Sequence, residues 1–207
     1  MRLLSHQRNV KMTPEDLLGS TAVRSGHFVL ESGHHGDLWL DLELLCLHPR
    51  RMEGAVADLS ERLRPLGVDA VCGPLNEGAF VALMVASQLD VEFSYAERLE
   101  HAGNDGLFPV EYRLLPALRV ALHGKRVAIV NDVINAGSAV RGTHADLLAC
   151  GAVPVAIATL LVLGDAAQCF AGENGIPLIS LAQRPNHIWT PAECPLCAAA
   201  VPLDTQE

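Results

Sequence analysis

Arg126-Val-Ala-Ile-Val-Asn-Asp-Val-Ile-Asn-Ala-Gly-Ser-Ala-Val140 decides the fold class of this chain. Val127, Ile129 and Val130 form a short apolar run behind the polar His123-Gly-Lys-Arg126, the pattern of a central parallel strand covered on both faces. Asn131-Asp132 stands where that strand ends. Asn135-Ala136-Gly137-Ser138 leads into a helix carrying Val140, His144, Leu147 and Leu148 at helical spacing, with Gly151 past its end. A parallel strand whose end faces a helix N-terminus is where α/β proteins hold phosphate. Small residues and free N–H groups let an anion approach, and an acid beside it holds a sugar hydroxyl or, through water, magnesium.

Outward from this stretch the chain keeps a strand–helix rhythm. Glu53 to Leu66 reads as a helix with Val56, Leu59 and Leu63 inward and Gly67 as its stop. Val68 to Gly73 reads as a strand, and Glu77 to Leu89 as a helix with Phe80, Leu83, Met84 and Leu89 on its apolar side. Val91 to Tyr95, Val153 to Leu163 and Pro177 to Leu181 read as further strands. Leu99 to Arg119 breaks the rhythm, because Gly103-Asn-Asp-Gly106 and Pro109 interrupt regular structure; a long insertion of this kind is more often functional than accidental. The alternation predicts an α/β fold with a mainly parallel sheet.

Composition narrows the class. The 207 residues, 50% hydrophobic and 19% charged, suffice for one core. A net charge of -9 with a pI near 5.4 argues against a nucleic-acid surface. No apolar run is long enough for a membrane span, and Met1 to Lys11 is polar without a signal-peptide apolar region, so a cytoplasmic protein is expected. Residues 1–12 read as a disordered tail and 13–207 as one domain, with Thr13 as the first N-cap and Pro14 opening a helix. The six cysteines read as thiols. Cys194-Pro-Leu-Cys197 has metal-ligand spacing, but zinc needs four ligands and the chain has no second such pair. His187 is near in sequence, a dimer would bring two pairs together, and a packed C-terminal loop is the plainer alternative.

The Asp132 segment resembles the phosphoribosyl-pyrophosphate (PRPP) loop of the type I phosphoribosyltransferases: an apolar strand, two acids, two apolar residues, then a Thr/Ser-x-Gly-Thr/Ser turn. Asp132 keeps the second acid, Val133-Ile134 the apolar pair and Gly137-Ser138 the end of the turn. Asn131 stands for the first acid and Asn135 for the first hydroxyl residue. Gly26 to Asp41 resembles the N-terminal signature of orotate phosphoribosyltransferases through Phe28, Ser32, Gly33, Trp39 and Asp41, with His35 where Lys is common and Gly36 where Ser is common. Gly73-Pro-Leu-Asn-Glu-Gly78 is similar to that family's pyrophosphate loop, and Tyr95-Ala-Glu-Arg98 to a phosphate-contacting segment. Trp189 to Leu203 is similar to the ending of some bacterial members.

The resemblance implies the type I phosphoribosyltransferase fold, with a small N-terminal hood and a long lid loop. It implies transfer of 5-phosphoribosyl from PRPP to a pyrimidine base, orotate, as a step of pyrimidine biosynthesis, with Mg2+ and release of pyrophosphate. Asp132, Arg98 and His101 would be catalytic. PRPP would meet Asn131, Asp132, Asn135, Ala136, Gly137, Ser138 and Ala139, Leu75, Asn76, Glu77 and Gly78, and Arg98 and Arg113. Phe28, Ser32, Gly33 and His35 would bind the base, and Asp132 would reach magnesium through PRPP. The lid, Leu99 to Arg113, would be shared across a homodimer. Three departures keep alternatives open: Lys11 and Lys125 are the only lysines, Glu77 adds negative charge to the pyrophosphate loop, and Leu161-Val-Leu-Gly-Asp165 lacks the Arg that commonly reads orotate. The alternatives are a phosphoribosyltransferase for another base and a non-catalytic PRPP-binding regulatory protein.

Overall fold

A computed structural model describes residues 22–100 and 107–204. The expected tail, the helix start at Thr13-Pro14 and His101 lie outside the described residues. In chain order the elements are β1 (Ala22–Val29), β2 (His35–Asp41), α1 (Glu43–Cys46), α2 (Pro49–Leu63), β3 (Ala70–Pro74), α3 (Glu77–Leu89), β4 (Glu92–Glu100) and β5 (Val110–Leu114). Then follow α4 (Pro116–Leu122), β6 (Arg126–Ile134), α5 (Ser138–Ala149), β7 (Val153–Leu163), α6 (Ala166–Glu173), β8 (Leu178–Arg184), β9 (Ile188–Trp189) and α7 (Pro195–Ala198).

The main sheet has the order β5-β4-β3-β6-β7-β8. All its pairings are parallel except that of β5 with β4. The apolar run in β6 explains its central place. Ala128 and Val130 face the layer of α2 and α3 with Val56, Leu59, Val81 and Val85, and Val127 and Ile129 face the opposite layer with Val140, Leu147 and Phe170. Successive strand residues alternate sides, so a strand buried on both faces must be apolar throughout. A second, antiparallel sheet of order β1-β2-β9 is the hood; its Leu38 and Leu40 pack on Leu161, Leu163 and Ala182 of β7 and β8.

The structure corrects two details of the sequence reading. The Gly103-Asn-Asp-Gly106 stretch of the expected insertion lies outside the described residues, but the described residues on either side of it are regular. β4 runs on to Glu100 and pairs antiparallel with β5 from Ala96↔Leu114 to Glu100↔Val110, and Pro116 opens α4. Its strand ends alternate apolar and charged residues, as a one-sided edge does, and so lack the apolar run of a buried strand. The inward side of α3 also differs. Phe80 and Leu83 are exposed, while Gly78, Ala79, Val81, Ala82, Val85 and Ala86 are buried. The small residues face inward because α3 lies close on β3: a Cβ at Gly73 would stand 2.6 Å from Ala82 Cβ and 2.7 Å from Ala79 Cα.

That contact yields a stability prediction. Gly73→Ala must push α3 away from backbone that cannot yield, and overpacking of this kind costs about 3 kcal/mol. Urea unfolding of the variant is expected to show that loss. A midpoint equal to wild type would show that the helix sits less closely than described.

Candidate active site

The C-terminal ends of β3 and β6 and the inner side of the hood enclose a cleft of about 300 Å3. This is where an open parallel sheet presents a crevice to ligands. Three chain segments meet there: Leu75 to Gly78 after β3, Asn131 to Val140 around the start of α5, and Leu30 to Ser32 with Trp39 from the hood. The two segments that resemble PRPP and pyrophosphate loops, far apart in the chain, thus line one cavity. The Leu75–Asn76 peptide is cis.

Asp132 is 5% exposed. Burial, with the charges of Glu77 and Glu43 adding to it, pushes its carboxyl up to about 7 against the pull of backbone hydrogen bonds at Val133 and Asp132. Thr159 Oγ1 donates to the Asp132 carbonyl at 2.8 Å and anchors the strand end. Asn131 is buried beside it; its Nδ2 donates to the Val133 carbonyl at 2.8 Å. Its Oδ1 lies so close under the Leu75-to-Gly78 loop that a Cβ at Gly78 would stand 2.0 Å away. A neutral amide suits this place, where a second carboxylate would add to the charge of Asp132, Glu77 and Glu43.

The turn after β6 is shaped by Gly137, whose φ of 84° is left-handed, and whose carbonyl starts the helix by accepting from Arg141 N–H at 2.9 Å. This leaves the first N–H groups of α5 without helical partners, the condition for an anion site. Asn135 Oδ1 accepts from Asn186 Nδ2 at 2.9 Å, so the amide at the usual hydroxyl position is tied to the loop after β8. Arg141 stands behind the turn with its guanidinium 4.5 Å from the Phe170 ring and 5.4 Å from the Phe108 ring. Its buried Nε has no hydrogen-bond partner among the described residues.

Other predicted residues are placed less uniformly. Ser32 lines the cleft, its Oγ 3.0 Å from His34 Nδ1, whereas Phe28, Gly33 and His35 are not among the lining residues. Phe28 packs on Trp39, which does line it. Arg98 reaches the cleft rim through Glu31, at 3.6 Å. Arg113 pairs with Glu111 at 2.9 Å on the other side of β5, because Tyr112 takes the inward position between them. Tyr112 donates to Glu31 Oε2 at 2.9 Å, and burial together with the Glu31 charge raises its pKa, keeping it a donor. Glu31, Glu43, Tyr112 and Asn186 are the residues the sequence did not single out. Only the strand alternation around Tyr112 offered a signal. Among the described residues no lining side chain is cationic, and the cleft carries Glu31, Glu43, Glu77 and Asp132.

Fold and cleft together define an α/β protein with a strand–acid–turn–helix unit opposed to a second strand–loop–helix unit beneath a small antiparallel hood. No family model matches the chain. It is 30% identical over 188 residues to an orotate phosphoribosyltransferase of Carboxydothermus hydrogenoformans, covering 90% of this chain and 91% of that protein. It is 27% identical over 181 residues to one of Caldanaerobacter subterraneus subsp. tengcongensis, covering 87% and 88%. Among solved structures, orotate phosphoribosyltransferase from Aeropyrum pernix superposes with a TM-score of 0.60 at 24% identity, covering 82% of this chain and 92% of that one. Adenine phosphoribosyltransferase from Trypanosoma brucei superposes at 0.64 with 18% identity, covering 82% and 78%. The chain belongs to the type I phosphoribosyltransferase family.

Proposed function

We propose that this chain transfers the 5-phosphoribosyl group of PRPP to orotate and releases pyrophosphate. The observation that carries this reading is the meeting of Asp132, the Gly137 turn and the Leu75-to-Gly78 loop in one cleft roofed by Ser32 and Trp39. The new bond joins a base nitrogen to the anomeric carbon as the carbon–oxygen bond to pyrophosphate breaks. Positive charge grows on the ribose and negative charge on the leaving group. In this proposal the N–H groups of the turn from Asn135 to Ala139 hold the 5′-phosphate. Asp132 accepts from a ribose hydroxyl, and the backbone of Leu75 to Gly78 holds pyrophosphate. Arg98 and His101 act on the leaving group, and the hood excludes water from above.

Magnesium fits the donor set. The carboxylates of Asp132, Glu77 and Glu43 are hard oxygen donors lining one cleft, and their negative charge favours a dication arriving with PRPP. When bound with PRPP, magnesium would neutralise the pyrophosphate. Without it, a polyanion would meet an acidic cleft, so PRPP binding is expected to depend strongly on Mg2+. A homodimer and a cytoplasmic location belong to the same proposal.

A second reading is favoured by one observation. Among the described residues, neither the cleft-lining side chains nor Leu161 to Asp165 supply a cation for the carboxylate of orotate. A carboxylate held only by neutral donors is bound more weakly, by on the order of 1–2 kcal/mol. Adding Arg at Gly164 is an unsuitable remedy, because that residue has a φ of 69° and its Cβ would lie 3.3 Å from the Asn186 carbonyl. The test is pyrophosphate release from Mg–PRPP with orotate, uracil and adenine in turn. Turnover with orotate at a high KM is expected. Turnover confined to uracil or adenine would establish another base, and PRPP binding without turnover for any base would establish a regulatory protein.

A further inference from the structure

We propose that His27, His35, Cys194 and Cys197 form a structural zinc site that ties the hood to the C-terminal segment. Their ligand atoms all lie within 4.8 Å of one another. His27 Nε2 is 2.9 Å from His35 Nδ1, 3.5 Å from Cys194 Sγ and 3.6 Å from Cys197 Sγ, and Cys197 Sγ is 3.2 Å from His35 Nδ1. A tetrahedral zinc, with Zn–N of about 2.0–2.1 Å and Zn–S of about 2.3 Å, sets its ligand atoms about 3.4–3.8 Å apart. Those four separations, 2.9–3.6 Å, fall at or just below that spacing, and the whole set stays within 4.8 Å. The two imidazoles share a hydrogen bond in which His35 Nδ1 donates to His27 Nε2; on metal binding His35 shifts its proton from Nδ1 to Nε2, and the lone pairs of His27 Nε2 and His35 Nδ1 both face the ion.

The surroundings are built for this. β1 bulges between Ser25 and Phe28, where Gly26 and His27 together face one residue of β2. The bulge redirects His27 out of the strand ladder. Its backbone is taken up by Asp204 instead: His27 N–H donates to Asp204 Oδ2 at 2.9 Å, and Asp204 N–H donates to the His27 carbonyl at 2.7 Å. A Cβ at Gly26 would stand 1.9 Å from Asp204 Oδ2, so a side chain there would displace the carboxylate that holds His27 N–H. His27 Nδ1 lies 2.8 Å from the Val201 carbonyl, which can only accept, so Nδ1 carries the proton and Nε2 offers its lone pair to the cluster. A carbonyl partner behind a histidine ligand is the usual outer support of a zinc site. Cys194 precedes the short turn of α7 and Cys197 lies within it, so the Cys-x-x-Cys pair presents both sulfurs from one side.

His27, His35 and Cys194 are buried, which suits a closed site with no position for substrate. Two thiols each lose a proton to solvent as two zinc–sulfur bonds form, so the dication and two thiolates balance in charge. An S2N2 tetrahedral set selects zinc among common divalent ions. His187, the neighbour in sequence, takes no part; it stacks on Trp189 with ring centroids 6.1 Å apart. One chain supplies all four ligands, so no second copy is needed.

The test is metal content of the full chain purified without chelator, together with the absorption spectrum after exchange for cobalt. About one zinc per chain is expected, as is a tetrahedral cobalt spectrum with thiolate-to-metal charge transfer. Cys197→Ser and His35→Ala should each weaken zinc at least ~100-fold, while Cys169→Ser, at an exposed position of α6, should keep it. Should the variants not fold, the wild-type cobalt spectrum still decides. No bound zinc, iron alone, a cobalt spectrum without thiolate bands, a Cys194–Cys197 disulfide in the purified chain, or zinc retained by a Cys194→Ser/Cys197→Ser double variant would each overturn the proposal.

Discussion

Gly137→Val is expected to lower PRPP affinity at least ~100-fold while the chain stays folded. Space is not the reason, because a Cβ at Gly137 would meet its nearest neighbours, Arg141 Nε and Ile134 Cγ2, at an ordinary 3.8 Å. The cost is conformational. At a φ of 84° a residue with a Cβ is strained by about 1–2 kcal/mol, and a β-branched one by more. Val therefore drives the backbone out of the left-handed region, and the following N–H groups of Ser138 and Ala139 turn with it. These are the donors proposed for the 5′-phosphate. Gly137→Asn is the control, since Asn tolerates this conformation, and it should retain much of the affinity. Calorimetric titration with Mg–PRPP measures both, and far-UV circular dichroism reports the fold. Wild-type affinity in the Val variant would show that the phosphate sits elsewhere.

How much of this was legible in the sequence depends on which physical signal each part leaves. The central strand announces itself because a strand covered on both faces must be apolar at every position, and the run from Val127 to Val130 meets that rule. The α3 boundaries, Glu77 and Leu89, were also legible, from the turn before and the polar residues after. Its inward side was not. A helix apolar nearly all round gives no direction, and the choice of small residues for the interface follows from the closeness of β3 at Gly73.

The same distinction holds for the candidate site. Contiguous motifs, such as Asp132 with its turn, could be read, because the chemistry lies within one strand–loop–helix. Contacts made by tertiary packing could not. Glu31 meets Tyr112 across 81 residues. Asn186 meets Asn135 across 51 residues. His27 meets Cys194 across 167 residues. Cys194-Pro-Leu-Cys197 was visible as half of a metal set, but its two histidine partners lie on a hairpin at the other end of the chain. Only a bulge invisible in one-dimensional pattern brings His27 to them.

The acidic cleft makes Asp132 the most consequential titrating group described. Burial first, then Glu77 and Glu43, raises it from 3.8 to about 7. A carboxyl that holds its proton more tightly in the native state than in the unfolded chain stabilises the fold fully below the unfolded value. That stability is lost as pH rises through the window from about 4 to about 7, and above it the charged native form bears the whole penalty. Asp132→Asn removes the penalty and keeps an acceptor for the backbone donors. The ligand-free variant is therefore expected to be more stable than wild type at pH 8, by roughly 2–4 kcal/mol, with the difference shrinking toward pH 5. Activity should move the other way. If the ionised carboxylate holds a ribose hydroxyl, kcat/KM for PRPP should rise through about 7 in wild type and fall at least ~100-fold with loss of that pH dependence in Asp132→Asn. Glu77→Gln should shift the wild-type rise to lower pH, because it removes one of the charges that oppose ionisation. Urea unfolding across this pH range and steady-state pyrophosphate release measure the two halves separately. A variant both stabler and inactive would mark Asp132 as a group kept under electrostatic strain for its work on the substrate, whereas a variant less stable at pH 8 would show that the carboxylate is held in the fold by partners that outweigh its burial.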